Sequence, residues 1–270
     1  MNNISVLNIY EKFSMLAIDP IFITTLSLAV LCVAISKSGF GGGLGGLGFP
    51  IMVLVLPPKA ALAVFLPLIL LTDIWVVFVW RKLFIFQILW MMALGGIIGQ
   101  FVCWLFFDYL DDKSILLLIG FMALITSIKF FVTEFYINKK SSNSIDNIKP
   151  TLLRAIVWCS LSGFASFIAW AGSIPAQIFL LPIGINRTKF VATMSFYFFI
   201  INYTKIPFFL NLNIINYDTL FLSFILLPIL PLGIFLGKWI NSKLSDKLFY
   251  YISHVALFLC GINLIIKQIF

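Results

Sequence analysis

Charged residues are scarce in this sequence: Asp, Glu, Lys and Arg make up 10% of it, while hydrophobic residues make up 62%. A soluble domain carries about 25% charged and about 45–50% apolar residues. A folded protein of this length still exposes much of its surface to water, so it could not bury so much apolar area. The shortage of charge therefore excludes a soluble protein. It predicts an all-α, polytopic transmembrane helical bundle with about eight to ten membrane segments.

Residue types that catalyse reactions or bind metals are also few. The chain has a single histidine, His254, with no carboxylate near it in sequence, and we interpret it as a helix-packing residue rather than a proton relay. The four cysteines lie far apart in apolar segments, without the spacing of metal ligands or of a disulfide framework (Cys32, Cys103, Cys159 and Cys260). The sequence therefore predicts neither an enzyme nor a protein that binds a metal or another cofactor.

The formal net charge of +8 would suggest a nucleic-acid partner in a soluble protein. Here the basic residues lie in short loops between apolar runs, where the positive-inside rule expects them. The expected partner is therefore the lipid bilayer and not nucleic acid. Residues 1–19 lack a signal-peptide cleavage site and are predicted to form an interfacial N-terminal segment. We expect a multi-pass protein of a bacterial-type inner membrane.

Apolar segments alternate with short polar loops along the rest of the chain. A first transmembrane repeat is predicted at 20–133, a polar cytoplasmic linker at 134–150 and a second transmembrane repeat at 151–270. The predicted segments are 20–36, 43–56, 60–80, 83–107, 114–133, 151–171, 174–183, 188–210, 217–240 and 247–268. The second and seventh of these are too short to span comfortably, so the sequence leaves open whether they cross or re-enter.

The two repeats share features in the same order. Gly95-x-x-x-Gly99 in the first has a counterpart in Gly233-x-x-x-Gly237 in the second, and each repeat has a pair of prolines seven residues apart. If each half has five crossing segments, most Lys and Arg residues fall on the same side of the membrane as the linker, as the positive-inside rule expects. If the short segments are instead parts of broken spans, the Lys and Arg residues are distributed more evenly between the two sides. An odd number of segments makes the repeats inverted, an arrangement that places a substrate site near the bilayer midplane.

A glycine-rich run at 38–50 is the most distinctive motif, with seven glycines in the ten residues 39–48. Each glycine costs about 1 kcal/mol relative to alanine in a helix, so the run predicts a broken helix. Unwound backbone at membrane depth requires a buried or cavity-lining position, where its N–H groups can bind an anion. Close helix packing through small residues is the alternative. The predicted ligands in this region are Lys37, Ser38, Gly41, Gly42 and Gly43.

Two ionisable residues, Asp73 and Lys205, lie within apolar segments, where each costs about 2.5–3.5 kcal/mol on membrane-insertion scales. When the two halves are superposed, Asp73 corresponds to Ile201 and lies next to the position of Asn202. The polar residues of these equivalent helices are therefore predicted at nearly the same depth in the membrane. The functional hypothesis is that Asn202 and Lys205 bind an anion while Asp73 couples its movement to a proton. The alternative is a structural Asp73–Lys205 pair that joins the halves.

Larger residues occupy the part of the second half that corresponds to the glycine run. Trp170, Ser173 and Gln177 are predicted to line the substrate site there, with helix packing as the alternative. Lys37 likewise has two interpretations, since it can face an anion or extend to the membrane surface.

Two motifs resemble the sulfite exporter TauE/SafE family: Gly39-x-Gly41-Gly42-Gly43 followed by Pro50, and Pro57-Pro58-Lys59-Ala60 leading into an apolar helix. The second half, from Ser162-Gly163 through Pro175 to Lys189-Phe190-Val191-Ala192-Thr193, resembles the family's second repeat. This resemblance covers about residues 20–268 and implies a duplicated helical carrier for sulfur-containing anions such as sulfite or organosulfonates, often supposed to be proton-coupled. The chain departs from the family pattern at 169–173, where Ala-Trp-Ala-Gly-Ser replaces a second glycine run.

Together these features predict a secondary transporter of a small anion. A passive anion channel, a carrier of a non-sulfur organic anion and a non-transporting assembly partner are the alternatives. Asp73 favours a coupled carrier, because a fixed negative charge has no obvious use in an anion pore unless it titrates. The short loops argue against an assembly partner, since they carry no domain that could hold another protein.

Overall fold

The computed structural model describes residues 19–39, 47–137, 149–243 and 246–269, and within these ranges the chain forms only helices and the turns between them. The first half contains α1 (Pro20–Gly39), α2 (Gly48–Met52), α3 (Pro58–Trp80), α4 (Phe86–Phe107) and α5 (Asp112–Ile137). The second half contains α6 (Leu152–Ala169), α7 (Ser173–Leu180), α8 (Arg187–Asn211), α9 (Tyr217–Leu226), α10 (Ile229–Lys243) and α11 (Asp246–Ile269). A 3₁₀ turn at Leu181–Ile183 extends α7. The prediction of an all-α fold is confirmed.

Five helices of the described chain are long and apolar enough to cross a membrane, and the bent pair α9–α10 would make a sixth. These five spans are Pro20–Lys37, Pro58–Phe78, Phe86–Phe107, Asp112–Val132 and Leu152–Ala169. They confirm a multi-pass helical membrane protein. The count of eight to ten segments stays a prediction, because α8 is 25 residues long but carries several polar side chains and is not among these spans.

The segment expected at 217–240 is not one continuous helix. It divides into α9 and α10, which meet at an angle of 45°. Pro228 lies in the break, where its missing N–H and its ring prevent the helix from continuing. Asn216 and Thr219 form a capping box that begins α9, and the Ser223 hydroxyl donates a 2.9 Å hydrogen bond to the carbonyl of Val64 on α3.

The halves pack against each other in a crossed arrangement. Helix α4 of the first half packs along α6 of the second, and α10 of the second packs along α1 of the first. Small residues permit both contacts: Gly99 lies against the backbone of Ser160, and Gly233 lies against Ala34. The internal duplication and its inverted topology themselves stay predictions.

Several predicted features lie outside the described residues: the interfacial segment up to residue 18, most of the linker (138–148) and the centre of the glycine run (40–46). The two ends of the glycine run are helical, since Gly39 ends α1 and Gly48 begins α2. The predicted break can therefore extend only between these two residues.

The contact between α4 and α6 gives a direct test of the packing. A methyl group added at Gly99 would lie 1.9 Å from the Ser160 carbonyl oxygen, and backbone cannot move aside as a side chain can. We expect Gly99→Ala to destabilise the protein by about 1–3 kcal/mol and to lower its melting temperature in detergent. Gly120→Ala is the control, because its added methyl would lie 2.8 Å from the Ile265 side chain and 3.2 Å from the Gly261 carbonyl oxygen, a milder conflict than that at Gly99. Equal melting temperatures for the two variants would contradict this packing.

Candidate functional site

Asp73 is the centre of a polar network inside the bundle. Its carboxylate is almost completely buried in the middle of α3. One oxygen forms an ion pair with Lys37, which lies in the last turn of α1. The other accepts a 2.6 Å hydrogen bond from the Asn202 amide on α8. The sequence placed Asp73 beside Asn202, and the structure brings the two side chains into contact.

Lys205 lies one turn beyond Asn202 on α8 and is completely buried. Its ammonium donates hydrogen bonds to the Ser166 carbonyl at 2.8 Å, the Ser166 hydroxyl at 2.9 Å and the Asn202 side-chain oxygen at 3.1 Å. It also lies 3.5 Å from the centroid of the Trp170 ring, a cation–π contact. Three acceptors match the three N–H donors of a charged ammonium.

The Asn202 side chain connects the two parts of the network. Its amide nitrogen donates to Asp73 and its oxygen accepts from Lys205. In the opposite orientation, the amide N–H groups would face the Lys205 ammonium and the amide oxygen would face the Asp73 carboxylate. Donor would then face donor and acceptor would face acceptor, so the two charged groups determine the orientation of the amide. A continuous chain of contacts therefore runs from Lys37 through Asp73 and Asn202 to Lys205.

The end of α6 explains why a lysine can lie in the apolar interior. The last carbonyls of a helix have no helical donor and form its negative pole, which stabilises a cation. Helix α6 ends at Ala169 because Trp170 adopts the left-handed conformation, with φ of 53°. Lys205 binds the carbonyl of Ser166 in that last turn, which also accepts a 3.2 Å hydrogen bond from the backbone N–H of Trp170. The helix end and the Trp170 ring together take the place of water around the ammonium.

The turn after α6 is held tightly against that helix. The Ser162 hydroxyl donates a 2.6 Å hydrogen bond to the Gly172 carbonyl, and Arg154 donates one of 2.9 Å to the Ile178 carbonyl on α7. A methyl group at Gly172 would lie 2.5 Å from the Ser162 carbonyl oxygen, so the close approach requires glycine. Helices α6 and α7 therefore form a hairpin that fixes Trp170 beside Lys205.

The network carries more positive than negative charge. It contains two lysines and one aspartate among the residues that the structure describes. Asp73 offsets Lys37, while the hydrogen-bond partners of Lys205 within the described ranges are all neutral. An unpaired charge in an apolar interior is costly, so the arrangement favours the entry of an anion.

The remaining predicted residues lie in different places. Ser38 belongs to the last turn of α1, but its side chain is not described, and Gly41, Gly42 and Gly43 lie outside the described residues. Ser173 lines a mainly apolar cavity of about 20 Å³, roughly the space that one water molecule needs. Gln177 lies half-buried on α7, and among the described residues no hydrogen bond or ion pair joins its side chain to the network.

The sequence suggested the wrong partner for Asp73. The direct ion pair is with Lys37, and Lys205 reaches the carboxylate only through Asn202. Ser166 was not predicted as part of the site. The available signal was the pair Ser162 and Ser166, which are four residues apart and therefore on one face of an otherwise apolar helix.

His254 lies apart from this network. It is buried on α11 and stacks on Phe130 of α5, with ring centroids 3.9 Å apart. This position agrees with the interpretation of His254 as a residue that packs between helices.

A family model described as sulfite exporter TauE/SafE matches residues 26–264 of the chain. The match includes every residue of the network. No curated protein and no solved structure matches the chain.

Proposed function

Because the chain belongs to the sulfite exporter TauE/SafE family, we propose that the buried network is the binding site for the anion it carries. Membership in this family makes the protein a membrane transporter of sulfite or a related anion. The substrate that we propose is a small sulfur-containing anion, sulfite or an organosulfonate, and the proposed carrier is a proton-coupled secondary transporter of a bacterial-type inner membrane.

The charge surplus in the network is the observation that carries this proposal. With Asp73 ionised, an arriving monovalent anion neutralises the surplus around Lys205. The Ser166 hydroxyl is the partner that Lys205 can most easily exchange, because a hydroxyl can rotate from accepting a hydrogen bond to donating one. The same side chain can then donate to the anion.

Lys37 and Asp73 provide the proposed coupling to protons. The groups that face Asp73 are Lys37 from α1 and Asn202 from α8. Tyr203 and Lys205 of α8 also lie near enough to interact with its charge. An anion that binds Lys37 competes with the Asp73 carboxylate for the ammonium. Losing that partner favours protonation of Asp73, and by linkage a proton on Asp73 strengthens anion binding to the same extent.

The glycine run lies next to Lys37 in sequence and belongs to the same proposal. We propose that backbone N–H groups of Gly41, Gly42 and Gly43 contact the anion when it reaches Lys37. Ser38 and the α7 residues Ser173 and Gln177 remain proposed lining residues. Their contribution is smaller, because the two lysines supply the charge.

Uptake by proteoliposomes tests the proposed function. We expect saturable uptake of labelled sulfite, with competition from unlabelled methanesulfonate. Methanesulfonate keeps one negative charge over the working pH range, so a pH gradient does not change its own protonation. Labelled methanesulfonate added outside the liposomes should therefore accumulate in the lumen when the outside solution is the more acidic. Equilibration without accumulation would identify a passive channel instead. No uptake of either anion beyond that of empty liposomes would contradict the proposed substrate class.

A further inference from the structure

The Trp170 indole has a buried N–H donor without a hydrogen-bond partner in the described part of the chain. The residue is 8% exposed, and its ring nitrogen has no hydrogen-bond acceptor among the residues that the structure describes. Trp104 shows the usual arrangement, since its ring nitrogen donates to the Asn211 side chain at 3.1 Å. An unpaired buried N–H is costly and rare in folded proteins. Its presence beside the Lys205 ammonium therefore points to a ligand.

The backbone and the packing hold the indole in one position. A left-handed conformation is unfavourable for a bulky residue and persists only where the surrounding structure enforces it. Phe65 packs against the ring, with centroids 5.6 Å apart and an angle of 62°, and the Lys205 ammonium covers one face. The direction of the N–H is therefore set before any ligand arrives.

The positions of the two donors restrict what can bind both. The N–H lies in the plane of the indole ring, whereas the ammonium lies over the face, 3.5 Å from the centroid. One acceptor atom could meet both only with an N–H···O angle far below the preferred 150° or more. Two oxygens on one central atom lie apart from each other, so each can approach one of the two donors from that donor's own direction.

We infer that the Trp170 N–H and the Lys205 ammonium bind two different oxygens of one oxyanion, and that Trp170 thereby selects oxyanions over single-atom anions. This inference rests on the proposed function and adds a specificity determinant to it. A halide can bind the ammonium but leaves the indole N–H unpaired. A sulfonate or sulfite group satisfies both donors at once.

Trp170→Phe tests the inference, because phenylalanine keeps an aromatic face over Lys205 but has no N–H. We would measure calorimetric affinities for methanesulfonate and bromide with purified protein. The variant should bind methanesulfonate about tenfold or more weakly, the scale of one hydrogen bond to a charged group. Its affinity for bromide should stay within about twofold.

Trp104→Phe is the matched control, since it removes an indole N–H that already has a protein acceptor. It should lower the melting temperature and leave both affinities unchanged.

Two results would overturn the inference: an unchanged methanesulfonate affinity in Trp170→Phe, or equal losses of affinity for methanesulfonate and bromide. Each is distinct from a failure of the proposed function, in which the wild-type protein would bind neither anion.

Discussion

Replacing Lys205 by methionine should abolish anion binding and transport, with a loss of affinity of about a hundredfold or more, while the protein remains inserted and monodisperse. Methionine fills a similar volume without the charge, so Asp73 and Lys37 would be left as a neutral pair. The helix end at Ser166 would lose its cation, and the anion would lose the only charge that has no charged partner in the described network. Truncating one partner of a buried, hydrogen-bonded charge pair typically costs about 2–5 kcal/mol of binding free energy, and a hundredfold loss of affinity is about 2.7 kcal/mol.

Calorimetry with methanesulfonate and uptake by proteoliposomes would measure these losses. Lys129→Met is the control, because Lys129 is exposed on α5 and belongs to no part of the network. It should bind and transport like the wild type. If Lys205→Met retains wild-type affinity, Lys205 has a structural function and the site lies elsewhere.

Asp73→Asn should separate anion movement from the proton gradient. Asparagine resembles the protonated aspartate, so it leaves Lys37 permanently free of a negative partner. The wild type should bind methanesulfonate more tightly as the pH falls, because protonation of Asp73 releases Lys37. Asp73→Asn should bind at all pH values with the affinity of the wild type at low pH. It should exchange anion across the membrane but show no accumulation driven by a pH gradient.

The control for this variant is Asp108→Asn, which removes an exposed carboxylate at the end of α4. It should keep both the pH dependence and the accumulation. Accumulation at the wild-type level by Asp73→Asn would mean that the Asp73–Lys37 pair is structural and that any proton is carried by another group. A pH-independent affinity in the wild type would lead to the same conclusion.

The sequence predicted most helix positions to within a few residues. An apolar run in a membrane has few ways other than a helix to pair its backbone N–H and C=O groups, and Pro, Gly and charged residues mark where such runs end. The segment predicted at 60–80 is α3, and the one predicted at 188–210 is α8. The bend between α9 and α10 was missed, although Pro228 marks it. Proline within an apolar helix does not always break it, since Pro67 lies inside the continuous helix α3.

The sequence by itself determined the class of protein and two of the buried polar positions. Asp73 and Lys205 stand out in any apolar segment, and the comparison of the halves placed Asp73 beside Asn202. These inferences need only composition, spacing and the cost of charge in lipid. The family resemblance followed from the same order of glycine and proline motifs.

The tertiary structure decided which charges meet. Lys37 pairs with a residue 36 positions away, and Asn202 with one 129 positions away, so no helical periodicity could connect them. Lys205 reaches the end of α6 because α4 packs against both α6 and α8 and so holds these two helices close together. Trp170 covers the ammonium because the chain turns through a left-handed residue there. A long flexible lysine can reach several partners. Only the packed positions of the helix ends determine which of them it reaches.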